Sequence, residues 1–441
     1  MEKEVRIRTA LPGPRAAAII ARDSATVSPS YTRDYPLVIA RGEGAWVEDV
    51  DGNVFLDCTA GIAVTSTGHS HPLIVDAVTE QAKKFLHMSG TDFYYELQAQ
   101  LGEQLSAIMP MPGPHRSFFG NSGTEANEAA IKLAKYSTKR QNVIAFLGAF
   151  HGRSMGALSL TASKVRQRQG FGALVPGVFH APYPDSYRAP RGLSPDAWAA
   201  ECVSFIENQL FVQLVPPDEV AAIVIEPIQG EGGYLVPPDS FLQQLRELTR
   251  RHGILLIVDE VQSGMGRTGR MFAIEHSGVE PDIVTMAKGI ASGMPLGVAT
   301  ARADVMSWPP GAHASTFGGN PVSCAAALAT ITLLRSELMA NAEAVGRYLM
   351  EGARALMDKH RLIGDVRGRG LMIGIEFVRD RQTKERATSE RDRVVRACFE
   401  HGLLVLGAGR NAIRLSPPLV LTKAEADTAL AVLDQAIGSL A

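Results

Sequence analysis

The chain has 441 residues, 46% of them apolar, and a formal net charge of −2. That much apolar sequence excludes a disordered chain, and the balance of charge excludes long-range attraction to nucleic acid or to an anionic membrane. Cys58, Cys202, Cys324 and Cys398 are far apart with no C-x-x-C pair, which argues against a disulfide framework or a structural zinc site.

The length exceeds what one core usually organises, so two domains or one large domain with an appendage are expected. No apolar run is read as reaching membrane-spanning length. The start "MEKEVRIRTA" lacks the apolar stretch of a signal peptide, and a cytoplasmic enzyme is the expectation. Residues 1 to about 45 read as an N-terminal arm. "AWVEDVDGNVFLD" reads as a hairpin turning at Asp51-Gly52-Asn53. From about residue 74, helical spacing ("IVDAVTEQAKKFL", "FLQQLRELTRRH") alternates with short apolar runs: "VIAFLGAF", "VAAIVIEPI", "GILLIVDEV" and "DIVTMAKGI". Buried strands alternating with helices predict an α/β fold with a mostly parallel sheet. A long helix-like stretch (322–360), then "VRGRGLMIGIEFV", a helix over 388–400, short strands and a final helix from Lys423 predict a smaller α+β part. The expected division is 1–75 for the arm and part of a small domain, 76–330 for a large domain, and 331–441 for the rest of the small domain.

Five stretches carry chemistry. In "FFGNSGTEANEAAIKLA", Ser122, Gly123 and Thr124 lead into a helix whose apolar face is Ala126, Ala129, Ala130, Leu133 and Ala134, with Glu128 and Lys132 as an expected i,i+4 pair. Unpaired N–H groups at a helix start favour an anion such as a phosphate, although Ser and Thr also serve as ordinary caps. In "GAFHGRS", Phe150 and His151 follow a predicted strand, at the edge where open α/β sheets bind ligands. A flat aromatic there suits a ring, and Arg153 suits a carboxylate. In "IEPIQGEGG", Glu226 ends an apolar strand and Glu231 lies in the glycine-rich loop beyond. In "LLIVDEVQSGMGRTG", Asp259 follows an aliphatic run, where an unpaired carboxylate is costly and a cationic partner is expected. Lys288, in "PDIVTMAKGIASG", is a lysine at a core edge. Partial desolvation makes its neutral amine available to form an imine, although snorkelling to water is the common alternative. One ligand satisfies all five: pyridoxal phosphate has a phosphate, an aromatic ring, a basic ring nitrogen and an aldehyde, and it takes a Schiff-base lysine with an acid at the ring nitrogen.

With these motifs in this order ("GNSGTEANEAAIKLA", "FHGR", "EPIQGEGG", "VDEVQSGMGRTG", "MAKG", "STFGGNP"), the chain resembles the class III pyridoxal-phosphate aminotransferases of fold type I, from about Tyr35 to Pro418. The resemblance implies an α/β fold with a seven-stranded-type, mostly parallel sheet in the large domain and a smaller α+β domain. It implies that pyridoxal 5′-phosphate is held by Lys288 as Schiff base and proton carrier, Asp259 at the ring nitrogen, and Phe150 on the ring face. Gly123 and Thr124 would hold the phosphate, and Gln262 the ring hydroxyl. Ser122, His151, Glu226 and Val261 complete the expected cofactor set, and Thr316 would reach the phosphate of a partner subunit, which implies a homodimer or higher homo-oligomer with shared active sites.

The 4-aminobutyrate aminotransferases look most similar among familiar reactions. That subgroup implies Ile62 as pocket lining, Arg153 for the distal carboxylate, Arg414 for the α-carboxylate, and Glu231 as the group that masks Arg414. The expected substrates are thus a small amino acid and a keto acid, 2-oxoglutarate. Phe150 stands where the bacterial enzymes of that subgroup commonly carry tyrosine. "GAFHGRSMGALSLTASK" and "HAPYPDSYRAP" also look similar to archaeal relatives, so ornithine or acetylornithine aminotransferase and amino-acid racemase stand as alternatives. No metal is expected: His69 and His71 in "GHSHP" lack an acidic or cysteine partner in sequence and read as packing or loop residues. An effector-binding module is disfavoured, because every expected catalytic position is filled.

Overall fold

The computed structural model describes residues 3–440. Its central sheet has seven strands: β1 (His115–Gly120), β2 (Asn142–Phe146), β3 (Val178–Ala181), β4 (Val220–Ile225), β5 (Leu255–Asp259), β6 (Ile283–Met286) and β7 (Gly297–Arg302). Their spatial order is β1-β7-β6-β5-β4-β2-β3. β7 is antiparallel to both neighbours, and every other pair is parallel. The apolar runs read from the sequence become these strands because both sheet faces are covered: all six residues of β4 are buried.

One face is covered by α1 (Gly123–Thr138), whose Ala129, Ala130, Leu133 and Ala134 meet Val143, Ala221, Ile257 and Ala299 of the sheet. The small side chains let helix and sheet approach closely. On the other face, α2 (Asp239–His252) buries Phe241, Leu242, Leu245 and Leu248, each worth about 1.5–3 kcal/mol of transfer free energy. It stops at Gly253, whose φ of +59° forms the left-handed cap that glycine adopts without a Cβ penalty.

The predicted hairpin pairs Trp46–Asp49 with Val54–Asp57 antiparallel. Ile39–Glu43 extends that sheet on one side, and Leu403–Leu404, from near the other end of the chain, adds to Val54–Asp57 in parallel. A third sheet, built on Ile363–Arg369 and Met372–Asp380, carries Ala412–Leu415 as the antiparallel neighbour of the latter strand.

Two expectations are corrected. Pro321–Lys359 forms one 39-residue helix that is long and apolar enough, by composition, to cross a membrane. It lies instead in the protein core, packed on the helices Pro72–Lys84 and Glu96–Ile108, and its alanine-rich first half supplies ten buried residues. The Glu128–Lys132 pair does not form. Glu128 Oε1 accepts from Ser154 Oγ (2.6 Å) and from the Gly156 and Ala157 N–H groups (2.9 and 3.1 Å). It thereby caps the helix Met155–Leu160, while Lys132 Nζ lies 2.8 Å from His313 Nδ1. Three donors near a helix N-terminus outcompete one exposed lysine.

Candidate active site

All five chemistry-bearing stretches leave the C-terminal ends of parallel strands: 122–124 after β1, 150–153 after β2, Glu226 after β4, Asp259 at the end of β5 and Lys288 after β6. Strand direction therefore gathers them on one edge. They enclose a cavity of about 430 Å³ lined by Ser122, Gly123, Thr124, Phe150, His151, Arg153, Glu226, Asp259, Val261, Gln262 and Lys288. A second cavity of about 710 Å³ shares Phe150, Arg153, Gln262 and Lys288 with the first and adds Ile62, Glu231, Arg414 and Lys164. Thr316 lines neither: it sits beside Phe317 on an exposed loop.

Asp259 is buried, and the cationic partner expected for it is an imidazole, that of His151. Its Oδ2 accepts from His151 Nδ1 at 2.7 Å and Asn127 Nδ2 at 2.8 Å, and Oδ1 accepts from the Val261 N–H at 3.0 Å. Asn127 also takes a hydrogen bond from Thr285 Oγ1 at 2.9 Å and donates to the His151 carbonyl. Burial alone lowers the His151 pKa, but the hydrogen bond and charge of Asp259 outweigh it and raise it above 6.5. Asn127 escaped the sequence reading. Its signal was a lone amide on an otherwise alanine-rich buried helix face.

Glu226 holds two loops together. One carboxyl oxygen accepts from the Phe150 N–H and the other from the Gly230 N–H, each at 3.0 Å. Burial pushes its pKa up to about 7, with the charge of Asp259 adding to the rise. Lys288 follows β6 in a left-handed conformation, φ +46°, a strained state for a non-glycine residue of the kind that clusters at functional sites. Burial, then the guanidinium of Arg414, bring its pKa down to about 8. Roughly a tenth of the amine is then neutral at pH 7, against well under a thousandth for a lysine at its ordinary value.

In the second cavity, Arg414 NH1 lies 2.8 Å from Glu231 Oε1, and Lys164 Nζ donates to Glu231 Oε2 at 3.0 Å. Burial alone raises the Glu231 pKa, but these two cations outweigh it and hold it at about 2. Arg153 makes no ion pair among the described residues; its guanidinium lies 5.8 Å from the Phe150 ring centre. Ile62 belongs to a single left-handed turn in which Ala60, Gly61, Ile62 and Ala63 all have φ between +47° and +67°. A left-handed turn costs an L-residue about 1–2 kcal/mol, and the Thr59 hydroxyl and the Asp57 carboxylate brace it through N–H groups of Gly61 and Ala60. No sequence pattern announced this turn or Lys164. His69 hydrogen-bonds Asp57 at 2.8 Å and His71 precedes the helix Pro72–Lys84, both as loop residues.

The first cavity fits a phosphorylated, aromatic, ring-nitrogen ligand. The helix α1 begins there with its first N–H groups unable to find a carbonyl within the helix. A Cβ on Gly123 would stand 2.8 Å from Val261 Cγ1, so glycine alone lets the apolar wall close on the helix start. Gln262 Oε1 is buried without a hydrogen-bond partner among the described residues, and Phe150 and Val261 supply flat and aliphatic walls.

Comparison with known proteins agrees. The family model for class III aminotransferases matches residues 27–437. An alanine/serine racemase of Pyrococcus horikoshii is 41% identical over 97% of this chain and 91% of its own length. A diaminobutyrate–2-oxoglutarate aminotransferase of Haemophilus influenzae is 41% identical over 90% and 89%. A 4-aminobutyrate aminotransferase of Mycobacterium leprae is 40% identical over 99% of both. Among solved structures, an aminotransferase of Bacillus anthracis superposes with a TM-score of 0.89 at 31% identity, covering 96% of this chain and 99% of that one. An amine transaminase of an uncultivated Pseudomonas species, in its PLP-bound form, superposes at 0.87 with 32% identity over 94% and 98%. The chain belongs to the class III aminotransferases, PLP-dependent enzymes of the α/β transferase fold, and pyridoxal 5′-phosphate is the cofactor its first cavity is shaped to hold.

Proposed function

We propose that the enzyme moves an amino group from an ω-amino acid of 4-aminobutyrate type to 2-oxoglutarate in two half-reactions within one pocket. The observation that carries this reading is a pair of carboxylate receptors around Lys288: Arg153, without a counter-ion among the described residues, and Arg414, covered by Glu231. An ω-amino acid places its only carboxylate on Arg153 and leaves Arg414 covered. Glutamate needs both, so Glu231 must give way to its α-carboxylate.

Pyridoxal phosphate, when bound, supplies a carbonyl carbon for the amine and an electron sink for the carbon that loses a proton. The rest falls to the chain. Lys288 Nζ takes the proton from the substrate carbon and returns it to a different atom. Asp259 presents a carboxylate fixed by His151, Asn127 and the Val261 N–H. Phe150 and Val261 would shield the ring from water, and the N–H groups at 122–124 would hold the phosphate. We further propose a homodimer in which Thr316 of each copy serves the other copy's phosphate end. The position of Thr316 on an exposed loop, outside both cavities of its own chain, supports this.

Purified enzyme given 4-aminobutyrate and 2-oxoglutarate should form glutamate, measured by chromatography. Absence of glutamate with every ω-amino donor would remove the reading. Amino-acid racemisation is a second reading, favoured by the racemase among the relatives. It requires loss of optical activity from an L-amino acid without any keto acid.

A further inference from the structure

Glu231 is held from two sides. Its backbone carbonyl accepts from the Gly409 N–H at 2.8 Å, which ties the loop to the neighbouring segment at this residue. Oε1 faces Arg414 and Oε2 faces Lys164. The glutamate side chain is 16% exposed, the arginine 6% and the lysine 27%. Two cations share one carboxylate, and the group carries a net charge of +1.

We infer that Lys164 is a specificity-determining positioning residue, the counter-ion that keeps Glu231 paired when a substrate α-carboxylate takes Arg414. This rests on the two-carboxylate reading above. When glutamate binds, Arg414 turns to the new anion and the group of three plus the substrate carboxylate reaches charge zero. Without Lys164 the same event leaves two carboxylates around one guanidinium and a poorly solvated Glu231 with no cation of its own. An ω-amino donor brings no α-carboxylate, so it never asks Glu231 to leave Arg414. Lys164 thus matters for one half-reaction and hardly for the other. No bond is made or broken by Lys164 in this role.

The test follows the cofactor spectrum of the holoenzyme in each half-reaction separately, by stopped flow, for wild type, Lys164→Met, Lys164→Gln and Lys164→Arg. Loss of the charge should raise the KM for glutamate roughly tenfold, less than for a fully buried pair because the lysine is partly solvated. The KM for 4-aminobutyrate should move within about twofold, and Lys164→Arg should restore the wild-type ratio. In a Glu231→Gln background, Lys164→Met should have no further effect on glutamate, since no carboxylate is left to hold. Equal changes in both halves, no change in either, or an undiminished effect in the Glu231→Gln background would overturn the inference while leaving the two-carboxylate reading intact. A wild-type enzyme unable to use any ω-amino donor would overturn both. If Lys164→Met does not fold, the neutral but hydrogen-bonding Lys164→Gln decides.

Discussion

His151 Nδ1 and Asp259 Oδ2 meet at 2.7 Å with side chains 0% and 3% exposed. So buried a carboxylate is tolerable only with partners of its own, and the imidazole and Asn127 supply them on the same oxygen. The consequence is directional. With Oδ2 doubly engaged and Oδ1 tied to the Val261 N–H, the carboxylate cannot rotate, and its remaining acceptor capacity stays turned to one place.

Asn127→Ala removes one of these partners and also deprives Thr285 of an acceptor for its buried hydroxyl. It should destabilise the fold by about 1–3 kcal/mol, read from urea unfolding. Cofactor affinity should fall with it, read by titration of the apoenzyme with pyridoxal phosphate. Asn127→Asp should be worse, because it places a second carboxylate against Asp259.

Lys288→Ala should lower turnover by at least about 10²–10⁴-fold, the usual worth of a positioned proton carrier. The cofactor's long-wavelength absorption should change with it. Added methylamine should restore part of both, since the cavity then admits a small amine where the side chain stood. Turnover of the variant at wild-type rate would exclude Lys288 from the chemistry.

Gly152 has φ +136°, and a Cβ there would collide with Thr124 Oγ1. Gly152→Ala should therefore push the Phe150–Arg153 loop off the helix start and weaken pyridoxal phosphate binding, with a conformational cost of about 1–3 kcal/mol. Equilibrium dialysis reads the affinity. Gly113→Ala, where nothing stands within 4 Å, controls for the general cost of a positive φ.

Glu231 titrates at about 2 in the fold and at 4.5 ordinarily. A carboxylate with a depressed folded pKa contributes stability above its unfolded value and loses it as pH falls through the folded one. The melting temperatures of wild type and Glu231→Gln should therefore differ most above pH 4.5 and converge between pH 4.5 and about 2. In kinetics the same variant should slow the ω-amino half-reaction more than the glutamate half-reaction, because Arg414 is then no longer masked. That is the opposite split from the loss of Lys164.

Much of this site was legible in the sequence for a simple reason. Parallel strands in an α/β sheet put their C-terminal ends on one edge, so Phe150, Glu226, Asp259 and Lys288, each just at or after an apolar run, were bound to converge. The partners of those residues were not legible. Glu128 is one turn from Lys132 yet bonds a helix start 28 residues on, and Lys164 meets Glu231 across 67 residues. Such pairings depend on how loops from different strands pack, which periodicity does not encode. The left-handed turn at 60–63 was hidden for another reason: an isoleucine gives no hint of positive φ.

Lys288, Arg153 and the Glu231-covered Arg414 line one pocket, and amino transfer from an ω-amino acid is the activity proposed for it. The most direct test gives the enzyme 4-aminobutyrate alone, without a keto acid. Amino transfer yields one equivalent of 4-oxobutanoate per active site, a matching spectral change of the cofactor, and then arrest until 2-oxoglutarate is added and glutamate appears. No oxo acid from 4-aminobutyrate, together with many turnovers of L-alanine to its enantiomer in the absence of any keto acid, would contradict it.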